Sequence, residues 1–142
     1  MFIDIVSYTK TTSNLDRESF NQLHDIFDAL SISLFKKYHG KVIKKIGDAF
    51  LITFKSSTNA VLCGIGLQKA FRRYNKNSGR KKKPLKIRVA IHSGEVIVRK
   101  GDVYGDAVNT TARIEGITKA DDVVFSEPVF SAMNENEIPC VH

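Results

Sequence analysis

Short apolar runs and two long amphipathic stretches alternate along this chain, and their order constrains the fold more than any other feature. Apolar residues recur every three or four positions over residues 16–38, which predicts a helix, and a second helix is predicted over 58–74. A short strand precedes the first helix, and a hairpin turning at Gly47-Asp48 separates the two helices. With one more strand after the second helix, the order β-α-β-β-α-β predicts a ferredoxin-like α+β fold, an antiparallel sheet with helices on one face.

Element boundaries follow the apolar runs and the turn residues. Gly40 is predicted to end the first helix, Asp106 to cap a third over 107–115, and Gly116 to end that one. The predicted strands cover residues 3–6, 42–46, 49–54, 85–92, 95–99 and 123–125, and a short last helix begins at Ser126-Glu-Pro. Since the helices are too few to cover both faces of the sheet, we expect a partner subunit on the other face.

The composition fits one globular domain over residues 1–142. Hydrophobic residues make up 42% and charged residues 26%, which excludes the disordered class. No apolar run reaches the roughly 20 residues of a membrane helix, and Cys63 and Cys140 lack disulfide or zinc spacing. We therefore expect a reducing, cytoplasmic setting without membrane contact. The net charge of +7 would suit nucleic acid or a phosphate-bearing substrate equally well.

Two aspartates indicate a metal site. Asp4 lies at the end of the first predicted strand and Asp48 at the tip of the hairpin, two points that this topology brings to one edge of the sheet. Carboxylates there suit one or two Mg²⁺ ions, which take few protein ligands and complete their shell with phosphate and water. Taken singly, each aspartate fits turn or capping chemistry as well.

Further polar residues fit a nucleotide. Ser7, Tyr8 and Thr9 follow the first strand, where backbone N–H groups can cradle a polyphosphate. Asn109 and Arg113 share one face of the third helix, where an amide and a guanidinium can position a ribose and neutralise a reacting phosphate. An exposed polar helix face is the alternative.

Lys44 lies among apolar residues of a strand that we expect to be buried, where an ammonium needs a partner or a ligand. Asp102 is the matching acceptor. Because Lys45 is adjacent, a one-residue shift of register would put the wrong lysine in the site.

Three separated blocks resemble the catalytic domain of class III nucleotide cyclases, the adenylate and guanylate cyclase family. The blocks are Phe2-Ile-Asp-Ile-Val-Ser-Tyr-Thr, Lys44-Lys-Ile-Gly-Asp-Ala-Phe and Asp102-Val-Tyr-Gly-Asp-Ala-Val-Asn-Thr-Thr-Ala-Arg113. Ser7 stands where glycine is common in the family. The resemblance spans nearly all of the chain and implies a head-to-tail homodimer, with metal ligands from one subunit and base-reading and transition-state residues from the other.

The resemblance also implies roles for residues at matching positions. The 3′-hydroxyl of ATP would attack the α-phosphorus in line, and pyrophosphate would leave, with two Mg²⁺ or Mn²⁺ ions as cofactors. The implied roles are metal ligands for Asp4, Asp48 and the backbone of Ile5; substrate contacts for Ser7, Tyr8, Thr9 and Arg88; base reading for Lys44 and Asp102; ribose orientation for Asn109; and transition-state stabilisation for Arg113.

The residues at the base-reading positions favour adenine. Adenine presents an acceptor at N1 and a donor at N6, which a lysine and an aspartate match, whereas guanine presents the reverse pattern. Guanylate cyclases of the family typically carry glutamate in place of Lys44 and cysteine or a similar residue in place of Asp102. Since a mispaired buried polar group costs about 1–3 kcal/mol, the chain is predicted to be an adenylate cyclase.

The chain departs from the family at both ends. It begins almost on the first strand, and it stops at Cys140-Val-His, before the closing hairpin where the family usually places another phosphate-binding lysine. We therefore expect a truncated domain from a longer regulated protein, weakened in activity or in dimerisation.

Other functions stay open from the sequence. A cyclase for GTP or a pyrimidine nucleotide is one. A non-catalytic nucleotide-binding or dimerisation module is another, although such members usually lose a metal aspartate or the Asn/Arg pair, and this chain has kept all four. A nucleic-acid-binding domain would present exposed strand aromatics, whereas Phe50 and Phe54 lie in an apolar strand better explained as core.

Overall fold

The computed structural model describes residues 1–6, 13, 15–78 and 84–138. In chain order its elements are β1 (Phe2–Ile5), α1 (Arg17–Lys37), β2 (Lys41–Ile46), β3 (Ala49–Thr53), α2 (Ser57–Asn77), β4 (Ile87–Ile91), β5 (Ile97–Arg99), β6 (Asp102–Tyr104), α3 (Asp106–Ile117), β7 (Val123–Phe125), α4 (Glu127–Ala132) and a 3₁₀ turn (Glu135–Glu137).

The central sheet has five strands in the spatial order β2-β3-β1-β4-β7. β1 pairs antiparallel with β3 and with β4, and β2 pairs antiparallel with β3 through the predicted hairpin, whose Gly47 has φ 56°. β7 joins parallel to β4. The first four strands have the ferredoxin-like arrangement, so the predicted α+β fold class is confirmed.

Helices α1 and α2 begin within one residue of the predicted positions, and each has a capping side chain. The Asp16 side chain accepts a hydrogen bond from Ser19 N at 2.7 Å, and Ser56 Oγ accepts one from Asn59 N at 3.1 Å. The prediction for the end of α1 was wrong in one respect. His39, with φ 60°, occupies the left-handed position after the helix, and Gly40 does not.

The hydrophobic core lies between the sheet and these two long helices. Ile3 stands between Phe50 and Val89 in the registered strands, and all three side chains are buried. Phe27 of α1 stacks on Phe50, with 5.3 Å between ring centroids, and on Phe71 of α2 at 6.0 Å. The alternation of side chains along β1 and β4 therefore turns Asp4 and Arg88 to the opposite face.

Helix α3 packs on that opposite face, against β4 and β1. Two details of its prediction were wrong. Gly105 is the N-cap residue in place of Asp106, which is the first helical residue, and the helix continues through Gly116 to Ile117. Its position means that the second face of the sheet is covered in part by this chain.

The segment predicted as a strand over 95–99 does not join the main sheet. β5 pairs with β6 in a separate two-stranded hairpin. Lys100 and Gly101 make the turn between β5 and β6, with φ 52° and 77°. Within the described ranges, the helices are all too short or too polar to cross a membrane.

Candidate active site

Asp4 and the Asp48 turn lie side by side at one end of the central sheet. Asp4 is opposite Ala49 in the β1–β3 ladder, and Ile5 N donates a hydrogen bond to Asp48 O at 3.2 Å. The Asp4 side chain is nearly buried, and that of Asp48 is half-buried. The sequence-predicted metal residues Asp4, Ile5 and Asp48 are therefore brought together by β1 and the hairpin.

Arg88 reaches Asp4 from the neighbouring strand. Arg88 stands opposite Asp4 in the β1–β4 ladder. Its Nε donates to Asp4 Oδ1 at 2.7 Å, and its Nη2 donates to Asp4 Oδ2 at 3.0 Å. Such a two-pronged contact between guanidinium and carboxylate is both strong and directional. The predicted phosphate-binding arginine thus lies against a predicted metal ligand.

A third carboxylate completes this cluster. Glu115 of α3 places its Oε1 2.6 Å from Arg88 Nη2, although this buried oxygen has no well-directed hydrogen bond within the part of the chain that the structure describes. Sequence reasoning missed Glu115. Thr111, Glu115 and Thr118 form an inward stripe at helical spacing, and Glu115 is the charged member of that stripe. That spacing was the available signal.

Burial and like charge perturb the carboxyl groups of the cluster. Burial, helped by the nearby Asp4 carboxylate, raises the pKa of Asp48 above its ordinary value. Burial raises the pKa of Glu115 to about 7, with a smaller contribution from the neighbouring Asp4 carboxylate, and the Arg88 charge opposes that shift. Hydrogen bonding to Asp4 raises the pKa of Arg88, so the guanidinium is charged throughout. Crowded carboxylates of this kind favour an added cation.

The residues at this edge fit a divalent cation. Asp4 and Asp48 supply two carboxylates, and Ile5 lies beside them with its backbone. Within residues 1–6, 13, 15–78 and 84–138, no cluster of three or more His, Cys, Asp or Glu side chains has a metal-binding arrangement. Mg²⁺ accepts a donor set this small, because it keeps water and takes phosphate oxygens.

Lys44 and Asp102 form a second cluster, on β2 and β6. Lys44 Nζ donates to Asp102 Oδ2 at 3.2 Å. The Val103 N–H donates to Asp102 Oδ1 at 2.7 Å. This hydrogen bond, followed by that from the Lys44 ammonium, holds the pKa of Asp102 below its usual range. The expectation of a buried strand was wrong, since β2 is at the edge of the sheet and the Lys44 side chain is 38% exposed.

A β-bulge in β2 precedes the two adjacent lysines, which pair in succession with Leu51 and Phe50 and point to opposite faces of the sheet. The register with β3 shifts between Val42 and Lys44. Lys45 instead contacts Asp28 of α1, with 2.7 Å between Nζ and Oδ1. The lysine that meets Asp102 is therefore Lys44, as the sequence predicted.

Asn109 and Arg113 do not join either cluster. Both side chains are exposed on the outer face of α3, while Glu115 and Thr111 turn inward. Ser7, Tyr8 and Thr9, predicted to hold the polyphosphate, lie outside the described residues. The predicted site is thus divided into separate groups on the surface of the chain.

Comparisons with known proteins identify the family of the chain. The family model of the adenylate and guanylate cyclase catalytic domain matches residues 1–142. The serine/threonine-protein kinase pkn2 of Myxococcus xanthus is 33% identical over 143 residues, which cover 99% of this chain and 17% of that protein. Putative adenylate cyclase 3 of Rhizobium meliloti (strain 1021) is 29% identical over 126 residues, or 89% of this chain and 21% of that protein.

Solved structures show the same fold. The crystal structure of the guanylyl cyclase Cya2 superposes with a TM-score of 0.85 at 25% identity, covering 94% of this chain and 76% of that one. The chain therefore belongs to the class III adenylate and guanylate cyclase catalytic domain family. It spans about a fifth of the length of the two curated relatives, at 17% and 21%.

Proposed function

We propose that this domain converts ATP to 3′,5′-cyclic AMP and pyrophosphate, in sites shared between two copies of the chain arranged head to tail. The observation that carries the proposal is the contact between Lys44 Nζ and Asp102 Oδ2 at 3.2 Å. Membership of the family supports nucleotide cyclisation, and this pair supports the choice of ATP.

The pair supplies one donor and one acceptor at a partly exposed edge. Lys44 can donate to N1 of adenine, and Asp102 can accept from the exocyclic N6 amine. Guanine presents an N1–H donor and an O6 acceptor in these places. The Lys44 donor would therefore face a donor, and the Asp102 acceptor would face an acceptor. A polar group left mispaired costs about 1–3 kcal/mol, which corresponds to roughly five- to 150-fold in selectivity.

The division of the site supports the dimer. Asp4, Asp48 and Arg88 form one half-site, whereas Asn109 and Arg113 are exposed on the outer face of α3. A two-fold arrangement would bring the exposed pair of one subunit to the carboxylates of the other. The surface near Lys44 and Asp102 is also unusually apolar, with exposed Val42, Ile46, Ile97, Val98 and Tyr104 on β2, β5 and β6.

Each protein group has a task in this reaction. Divalent cations bound at Asp4 and Asp48 would supply activation of the 3′-hydroxyl and charge neutralisation for the departing pyrophosphate. Asn109 orients the ribose, and Arg113 offsets the charge that develops at the α-phosphoryl group. Arg88 binds phosphate oxygens. The chain's contribution is positioning and electrostatics, with no covalent intermediate.

Cyclisation of GTP is the second candidate, because the similar structure Cya2 is a guanylyl cyclase. The Lys44–Asp102 pair argues against it. Nucleic-acid binding through the sheet is disfavoured, since Phe50 is buried against Phe27 and Phe35.

The test is cyclic-nucleotide production by the purified chain with Mn²⁺ or Mg²⁺ and ATP, GTP, CTP or UTP offered separately. We expect cyclic AMP from ATP, abolished in Asp48→Ala. Lys44→Gln should lower kcat/KM for ATP by about 10- to 100-fold. Lys45→Gln is the matched control, because Lys45 has a similar ion pair with Asp28 instead, and its change should stay within about twofold.

The substitution pair Lys44→Glu and Asp102→Cys should move activity towards GTP. Wild-type activity that is equal on ATP and GTP would contradict the base assignment. A folded chain that makes no product from any nucleotide would overturn the enzymatic proposal.

A further inference from the structure

Arg88 has two carboxylate partners that approach from different elements. Asp4 of β1 accepts hydrogen bonds from Arg88 Nε at 2.7 Å and from Arg88 Nη2 at 3.0 Å, and Glu115 Oε1 of α3 lies 2.6 Å from Nη2. The side chains are largely enclosed, with exposed fractions of 29% for Arg88, 11% for Asp4 and 20% for Glu115. The guanidinium is therefore held from two sides in a partly buried cleft.

These two partners face different demands. Both carboxylate oxygens of Asp4 accept hydrogen bonds from Arg88, yet the proposed function requires the same carboxylate to bind a divalent cation. Once its oxygens turn to the cation, Arg88 loses its two hydrogen bonds and meets a positive charge nearby. Glu115 then remains as the carboxylate that still attracts the guanidinium.

We infer that Glu115 is the second anchor of Arg88, a positioning residue that holds the guanidinium in the phosphate-binding position when Asp4 binds a cation. This inference rests on the proposed metal role of Asp4. In the described part of the chain, Arg88 is the cationic group within ion-pair distance of this buried carboxylate.

The position of Glu115 on α3 suits this role. The residue belongs to the inward stripe with Thr111 and Thr118, and Thr111 and Thr118 bond to carbonyls of the same helix, Ala107 O at 2.7 Å and Ile114 O at 2.6 Å. These two hydroxyls are therefore engaged, and the charged contact from α3 to β4 comes from Glu115. The anchor is mounted on a helix, which is more rigid than a loop.

The first experiment observes Arg88 directly, by the NMR signal of its Nε–Hε group, assigned by its disappearance in Arg88→Lys. Mg²⁺ alone is titrated into wild type and Glu115→Gln. In wild type the signal should shift and remain visible. In Glu115→Gln it should be visible without Mg²⁺, when Asp4 holds Nε, and should broaden away as Mg²⁺ is added.

Steady-state kinetics supply the second readout. Glu115→Gln should raise KM for ATP about tenfold with kcat changed less than about threefold, since Arg88 contacts phosphates in ground and transition states alike. Glu115→Asp keeps the charge and should bring KM back to within about threefold of wild type. Glu135→Gln, an exposed glutamate on the 3₁₀ turn, is the matched control and should change neither constant.

Loss of the wild-type Arg88 signal on adding Mg²⁺ would overturn the inference, and so would identical titrations of wild type and Glu115→Gln. If Glu115→Gln does not fold, the wild-type titration still tests the inference, because the Arg88 signal must remain visible as Mg²⁺ is added. Absence of cyclic-nucleotide product would sink the proposed function alone, because the NMR arm needs no turnover.

Discussion

At the residue scale, two neighbouring residues at the end of α1 meet two different requirements, a left-handed backbone and a lack of space for a side chain. His39 adopts the left-handed conformation with φ 60°, and Gly40 does not. Gly40 is required by space instead, because a Cβ there would lie 2.7 Å from Phe54 Cζ and 2.9 Å from Ile52 Cγ2. Ile52 is fully buried and has no room to move aside.

Gly40→Ala should therefore destabilise the fold, by about 1–3 kcal/mol in the free energy of unfolding, as overpacking does. Urea denaturation measures it. Gly116→Ala is the matched control, since Gly116 is helical and a Cβ there meets nothing within 4 Å. That variant should be unchanged or stabilised by up to about 1 kcal/mol. Equal stabilities for the two variants would contradict the packing argument.

At the element scale, α2 links the parallel strands β4 and β7 of the central sheet. Gln68, 3% exposed, donates from Nε2 to Ile87 O at 3.0 Å and to Asp122 O at 2.9 Å. Ile87 begins β4, and Asp122 immediately precedes β7. The two strands run parallel and are connected through β5, β6 and α3, so this amide joins elements that no tight turn connects.

Gln68→Leu should lower the free energy of unfolding by about 1–3 kcal/mol, because the carbonyls of Ile87 and Asp122 each lose one of their two donors. It should also speed hydrogen exchange at Val89 N, which bonds to Asp122 O at 3.2 Å. Gln22→Leu, at an exposed position of α1, should stay within about 0.5 kcal/mol of wild type. An unchanged rate of hydrogen exchange at Val89 N would show that Gln68 does not hold the two strands together.

At the scale of the whole molecule, the proposed catalytic groups lie at two separate places on the chain. Asp48 belongs to the carboxylate cluster at the edge of the sheet, and Arg113 is exposed on the outer face of α3. A head-to-tail dimer would form two sites, each with Asp48 from one copy and Arg113 from the other. This arrangement leads to a quantitative mixing experiment.

Asp48→Ala and Arg113→Ala should each be inactive as homodimers. When equal amounts are mixed and exchange freely, half of the dimers are mixed, and each has one intact site, so about a quarter of wild-type activity should return. Mixing Asp48→Ala with Asp4→Ala is the control, because both lesions fall on the same half-site and no intact site can form. Failure of the first mixture to recover activity, with subunit exchange shown independently, would rule out the shared site.

Part of the candidate site rests on local signals in the sequence. Asp4 and Asp48 stand at the end of a strand and in a hairpin turn, which sequence patterns locate well. The contact of Lys44 with Asp102 was also predicted, across 58 positions. Glu115 was missed, because its partner Arg88 is on another element and their contact depends on α3 packing over β4.

The sequence by itself determined the order of the elements in the β-α-β-β-α-β core, the starts of α1 and α2 to within one residue and the turn of the β2–β3 hairpin, because periodicity and turn residues act over a few neighbouring positions. The family followed from the three separated motif blocks. Strand β6 was not predicted. The tertiary structure alone decided that β2 lies at an exposed edge, that α3 covers part of the second face and that Gly40 is needed for space. Those features depend on contacts between distant elements, whose free energies no local pattern encodes.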